Sequence, residues 1–168
     1  MDHETNEINE LWRSDLVAFL LGCSFTFEEA LIRAGIQMRH IQEDKNVSMY
    51  VTNIETSSAG VFSGPMVVSM RPIHHTKVVK TVQITSRYPD VHGAPIHIGD
   101  PSIIGINDID NPNYGDPVSF RQGEVPVFWA CGVTPQAVAE RSKPSLMITH
   151  SPGHMFVTDI LNESISAL

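Results

Sequence analysis

Apolar residues recur along this chain with two different periods. Over 8–21 they fall at Ile8, Leu11, Trp12, Leu16, Phe19 and Leu20, spacings of three and four that predict one helical face. Gly22 supplies the stop signal. Thr26 with Glu29 three residues later has the form of a capping box, so a second helix is expected from Thr26 to Gly35. A short extended piece over 36–41, a polar turn over 42–48, a strand over 49–54 and a small-residue loop over 55–60 are expected next.

The period then shortens to two. Residues 66–71, Met-Val-Val-Ser-Met-Arg, are mainly apolar and bounded by Gly64-Pro65 and Pro72, which predicts a strand. Residues 78–86 alternate and predict another, with a helix over 76–80 as the alternative and His74-His75 in the connection. Ile96 and Ile98 flank His97, so a short strand is expected to hide the isoleucines and point the imidazole the other way. A helical turn over 102–106 and a long Asn/Asp/Pro/Gly loop over 107–117 follow. Residues 124–130 form a strand buried on both faces. Thr134 as N-cap and Pro135 at the first helical position start a helix that ends near Ser142, before Pro144. A last core strand is expected over 146–149, a sharp turn over 150–154, and a strand or turn over 155–160. These elements predict a mixed α/β chain that forms one domain over 1–168, with a β-rich lobe over 61–91.

Composition narrows the class. The formal net charge is −8 and no block of Lys or Arg stands out, which argues against nucleic acid and against an anionic membrane surface as partners. An anionic small molecule stays open, because one or two buried arginines suffice to hold it. No apolar run is long enough to span a bilayer, and residues 1–10 are too polar and acidic for a secretory signal. Two cysteines do not make a disulfide framework, so a reducing cytoplasm is the expected setting. The Asp-containing loop over 107–116 reads as a lid or as a subunit contact in a homo-oligomer.

Candidate chemistry concentrates in residues 92–101, His-Gly-Ala-Pro-Ile-His-Ile-Gly-Asp-Pro. Two prolines stiffen the segment and two glycines permit unusual backbone angles, so it is expected to present His92, His97 and Asp100 to a cleft. A tight buried turn with satisfied histidines is the plain alternative. His150 and His154 occupy a second Pro/Gly-rich turn. The four histidines match no standard zinc spacing, so no metal is assigned, and acid–base work with a nearby carboxylate is the better use. A nucleophilic Cys131 paired with His150 or His154 is a third option. His3, His40, His74 and His75 are assigned to solvent or structure.

Arg71 and Arg87 close apolar strands, where a guanidinium can fork onto a carboxylate or form a sheet-edge ion pair. Gln83, Thr85, Ser86 and Asn53 can add neutral hydrogen bonds, and Glu124 is either a buried acid or the residue before a strand. Cys23 and Cys131 each precede a Thr N-cap by three residues. If the two helix starts converge, they form an anion pocket without a basic patch. Otherwise both are ordinary caps beside small buried thiols.

Five stretches together resemble the D-glutamate cyclase family, whose bacterial members are called hydro-lyases. They are Gly-Cys-Ser-Phe-Thr-Phe-Glu-Glu-Ala-Leu (22–31), Gln-Ile-Thr-Ser-Arg (83–87), residues 92–101, Gly-Glu-Val-Pro-Val-Phe-Trp-Ala-Cys-Gly-Val-Thr-Pro-Gln (123–136) and Thr-His-Ser-Pro-Gly-His-Met (149–155). Family members are expected to carry a further segment before Leu11 that this sequence lacks. The resemblance implies a layered α/β/α part with a smaller two-layer β-rich α+β part. It also implies loss of water from a small carboxylate, as in D-glutamate closing to 5-oxo-D-proline. On that reading His97 or His92 takes a proton and Asp100 orients it. His150 or Glu124 protonates the departing hydroxide. Arg87 or Arg71 holds the carboxylates with the Thr26 or Thr134 helix end, and Cys23, Cys131, Gln83 and His154 line the site. No cofactor is specified. A non-catalytic carboxylate sensor with the same pocket is the rival reading.

Overall fold

The computed structural model describes residues 4–151 and 153–167. His3 and Pro152, both named above, lie outside them. The fold is mixed α/β. Four strands, β1 (Ser48–Glu55), β2 (Pro65–His74), β3 (His97–Ile98) and β4 (Glu124–Ala130), pair antiparallel in the order β1-β2-β4-β3. The helices are α1 (Phe25–Arg33), α2 (Arg39–Gln42), α3 (Val78–Thr85) and α4 (Thr134–Ser142).

β2 runs three residues beyond its expected end, through Pro72. The reason is register. Pro72 faces Pro126 across the β2–β4 ladder, and the Pro126 carbonyl turns the other way, accepting from Gly99 N at 2.9 Å. The two prolines therefore form a non-hydrogen-bonded pair, and neither missing N–H breaks the ladder.

Alternation along the strands sorts side chains onto two faces. Ser69, Arg71, Val127 and Trp129 share one face, by the pairings Ser69↔Trp129 and Arg71↔Val127. There Phe27 and Leu31 of α1, with Tyr88 and Val91, pack against Ile73, Val127 and Trp129. Val133 and Ala137 from the start of α4 extend this side over Val67 and Met49. The other face carries Tyr50, Val68, Met70 and Phe128, covered by Ile104, Ile106 and Val118. That cover is a 3-10 turn (Pro101–Ile104) and the loop after it, as the helical-turn and loop patterns predicted.

Several expectations are corrected. Residues 8–21 form turns and irregular chain instead of a helix, with Phe19 78 % and Leu20 82 % exposed. Their apolar side is left mostly uncovered, with only Ile8 and Leu16 half-buried, and an amphipathic pattern yields a helix in water only when that side is packed. The extended piece at 36–41 contains α2. Residues 78–86, expected as a strand, contain α3. Its buried residues Thr81 and Thr85 are four apart, and the Thr81 hydroxyl donates to the Lys77 carbonyl at 3.0 Å. That back-bond hides a polar group in the helix and offsets the strand preference of β-branched residues. The strand expected at 146–149 is irregular chain, with Met147 exposed, and 155–160 is likewise exposed and irregular. In β3 the isoleucines are not hidden: Ile96 and Ile98 are exposed, while His97 turns inward to 5.8 Å from the Phe128 ring. A two-residue edge strand has no layer beyond it to cover both isoleucines.

Candidate functional site: two thiols and an imidazole where two helices begin

Arg71 lies at the centre of the helix-covered face and is fully buried. Each of its nitrogens is committed. Nε donates to Glu28 Oε1 at 2.7 Å, Nη2 to the same oxygen and to Ser24 Oγ at 3.0 Å, and Nη1 to Ser69 Oγ at 3.1 Å. The guanidinium sits 5.5 Å from the Phe27 ring and 5.4 Å from the Trp129 ring. His40 Nε2 approaches the other Glu28 oxygen at 3.3 Å, and its ring stacks on Phe25. Burial pushes the Glu28 carboxyl up, but Arg71 and His40 together outweigh it and hold it below the ordinary glutamate value.

This ion pair reshapes the start of α1. Ser24, not Thr26, is the N-cap, and its hydroxyl serves Arg71 instead of capping the helix. Thr134 is likewise not a cap but the first residue of α4. Its hydroxyl accepts from Val67 N at 3.1 Å and donates to the Cys131 carbonyl at 2.8 Å, tying the helix start to β2.

The segments that lead into α1 and α4 approach each other at Gly22 and Gly132. A methyl group placed on Gly132 would lie 3.8 Å from the Gly22 carbonyl oxygen. Cys23 and Cys131 sit either side of this junction, both half-buried and both free. The Phe25 N–H faces the Cys23 sulfur, and the Gly132 and Val133 N–H groups face Cys131. Burial nevertheless pushes both thiols above the ordinary cysteine value, so both are protonated at neutral pH.

His92 completes the cluster. Its backbone is left-handed, φ +80°, a conformation that costs a non-glycine residue free energy. Its ring is bonded to the Gly22 carbonyl. Burial, and secondarily the Arg71 charge, hold its pKa below 6.5, so the imidazole is neutral at pH 7. Nε2 is buried without a hydrogen-bond partner among the described residues. The arrangement thus brings a buried, unpartnered basic nitrogen and two thiols together near two helix starts, beside the Arg71–Glu28 pair.

Gly22 makes this closeness possible. A methyl group there would lie 2.5 Å from both the Asp90 carbonyl oxygen and Val91 Cγ1. Gly22→Ala should therefore lower stability by about 1–3 kcal/mol, the range for overpacking, and push His92 away from the junction. Denaturant melts together with the His92 ring proton resonances would show both effects.

The other expected site residues are dispersed. His97 pairs across from Phe128 and so lies on the opposite face of the sheet from Arg71. Its Nε2 contacts the Asp100 main-chain carbonyl at 2.7 Å, while the Asp100 carboxylate accepts from Ser102 N and Oγ instead of orienting the imidazole. Glu124 begins β4, at the end remote from Cys131, and pairs with Arg39 at 2.6 Å. Arg87 follows a helix, not a strand. It is exposed beside Thr26, Glu29 and Arg33 in an open cleft of 380 Å³ shared with residues 162–166. Gln83 is exposed on α3. His150 and His154 are exposed on the chain after α4, where the His150 carbonyl accepts from Gln136 Nε2 at 2.9 Å. Glu28, Ser24, Ser69 and His40 were not anticipated as parts of the site. The available signal was a glutamate at position 28 within the 24-27-28-31 stripe that α1 buries.

Among the described residues no group of three or more His, Cys, Asp or Glu is placed to hold a metal ion, and no helix is long and apolar enough to cross a membrane. By fold the chain is a mixed α/β protein, and by sequence it is similar to bacterial proteins that carry the name hydro-lyase. It is 64% identical over 166 residues to a protein named putative hydro-lyase from Thermoanaerobacter sp. strain X514, covering 99% of this chain and 63% of the relative. A protein of the same name from Geobacillus kaustophilus is 64% identical over 168 residues, 100% of this chain and 64% of the relative. One from Bordetella pertussis is 57% identical over 164 residues, 98% of this chain and 59% of the relative. The chain thus spans less than two thirds of the length of these relatives. The D-glutamate cyclase family model matches residues 17–159, and the chain belongs to that family.

Proposed function

We propose that this chain carries the acid–base centre of a hydro-lyase that removes water from a small carboxylate in the cytoplasm. D-glutamate closing to 5-oxo-D-proline is the first candidate reaction. The observation that carries the reading is the buried, unpartnered Nε2 of a neutral His92 beside two helix starts. The family match supports the reaction class. A carboxylate at the junction would lie near the starts of α1 and α4, where the helix dipoles favour negative charge. Arg71 does not itself hold the carboxylate, because Glu28, Ser24 and Ser69 occupy its nitrogens. His92 Nε2 would take the proton that the attacking amine sheds as the C–N bond closes. The departing hydroxide would take a proton from the cluster and leave as water.

The test is an NMR assay of the purified chain with D-glutamate. Formation of 5-oxo-D-proline that is lost in His92→Asn is the expected result. Ligand-induced line broadening with no product would favour the sensor reading instead.

A further inference from the structure

We propose that the exposed apolar stretches 11–21 and 155–161 are a docking surface for one polypeptide: the further third of chain that the relatives carry outside the region they share with this protein. More than half of the exposed large apolar side chains among the described residues fall in these two short stretches. Val17, Phe19, Leu20 and Val157 are each more than three quarters exposed. Single apolar residues scattered over a surface need no explanation, whereas a concentration of this kind marks an interaction site.

Neither stretch is helical or paired in the sheet. The Ser151 hydroxyl donates to the Glu4 carboxylate at 3.2 Å. That bond brings together the chain just ahead of both stretches, so the two set out from one place on the surface. In the first, Trp12, Leu16, Phe19 and Leu20 keep the spacing of three and four by which a segment lays an apolar face into a partner's groove.

The relatives point to the occupant. The Geobacillus kaustophilus protein matches over all 168 residues, so both stretches lie inside the shared region, and just over a third of that protein lies outside it. The Thermoanaerobacter and Bordetella proteins leave a similar share outside. In each relative the further third is tethered to the shared region in one molecule. Its effective concentration there is high, so an apolar contact of modest strength stays closed. A net charge of −8 disfavours an anionic bilayer as the occupant.

Hydrogen exchange read by peptide mass spectrometry tests this on two whole proteins, the 168-residue chain and the intact Geobacillus relative. Peptides from β2 and β4 should be protected in both. The stretches 11–21 and 155–161 should exchange freely in this chain, and their counterparts in the relative at least about 100-fold more slowly. Equally fast exchange of the stretches in both proteins would overturn the proposal. Trp12 supplies a second readout, because it is 60 % exposed while Trp129 is fully buried. Co-expressed with the relative's further third, the chain should co-purify with it, and acrylamide quenching of Trp12 should fall severalfold. The double variant Phe19→Asp/Leu20→Asp changes only exposed side chains, so it should leave the β2 and β4 peptides protected and abolish the complex. A complex that forms as well with the double variant would count against this surface. Shielding of Trp12 in the chain alone as its concentration rises would assign the surface to a second copy and overturn the proposal, as would shielding by phosphatidylcholine vesicles. Neither readout depends on the chemistry assigned to His92.

Discussion

Glu28→Ala lowers the unfolding free energy by about 3–5 kcal/mol, because it strands a charge that has been removed from water. Arg71 is 1 % and Glu28 8 % exposed at the side chain, and Glu28 takes two of the guanidinium's hydrogen bonds. Without it Arg71 keeps only Ser24 and Ser69, both neutral. The double variant Glu28→Leu/Arg71→Met should recover much of the loss, since it removes both charges and leaves apolar groups among Phe27 and Trp129. Urea melts of the three proteins check this. Equal destabilisation by the single and double variants would show that packing, not charge, holds this point.

The same pair sets the acid limit of the fold. Glu28 has a folded pKa below its unfolded value of about 4.5. Its contribution is fully present above pH 4.5 and is lost as pH falls through the folded pKa. His92 has the same sign from a different cause. Its folded pKa lies below 6.5, so the unfolded chain binds the extra proton and stability falls as pH drops from 6.5 toward that lower value. Two successive losses of stability on acidification are expected, and His92→Asn should remove the one at higher pH.

The second large effect is on turnover. His92→Asn should reduce the rate of water loss about 10²–10⁴-fold, the usual contribution of a positioned base, with the fold retained. Asparagine tolerates the left-handed backbone at this position better than most residues, so the substitution tests the ring and not the turn. His97→Asn is the control. It sits on the other face of the sheet, and its loss should leave turnover within about 2-fold, as expected for a group outside the reacting geometry. If instead His97→Asn abolished turnover and His92→Asn did not, the site would lie on the wrong face.

What was legible in the sequence follows from where local pattern suffices. β4 was readable because the six residues before Cys131, Val-Pro-Val-Phe-Trp-Ala, are apolar or Pro with no helical spacing. The convergence of the Cys23 and Cys131 segments was readable as a possibility, since each lies just before a helix. The Val/Thr/Ile run of α3 was misread because its alternation and its helical stripe select overlapping positions, and the contacts that favour the helix, such as Trp129 donating to the Thr85 hydroxyl at 3.3 Å, come from distant elements. The separation of His92 from His97 was not legible. They are five residues apart and share one motif, but the intervening turn carries the second onto the opposite side of the sheet. Glu28 was hidden for a related reason. A glutamate looks like helix surface until a buried arginine from a distant strand claims it.

The most direct measurement is a proton–nitrogen correlation spectrum of the histidine rings, recorded with and without D-glutamate. Binding at the junction predicts that His92 Nε2 shifts and gains a protected proton, while His97 and His74 stay in place. A shift confined to His97, with His92 unmoved at saturating D-glutamate, would contradict a carboxylate site where α1 and α4 begin.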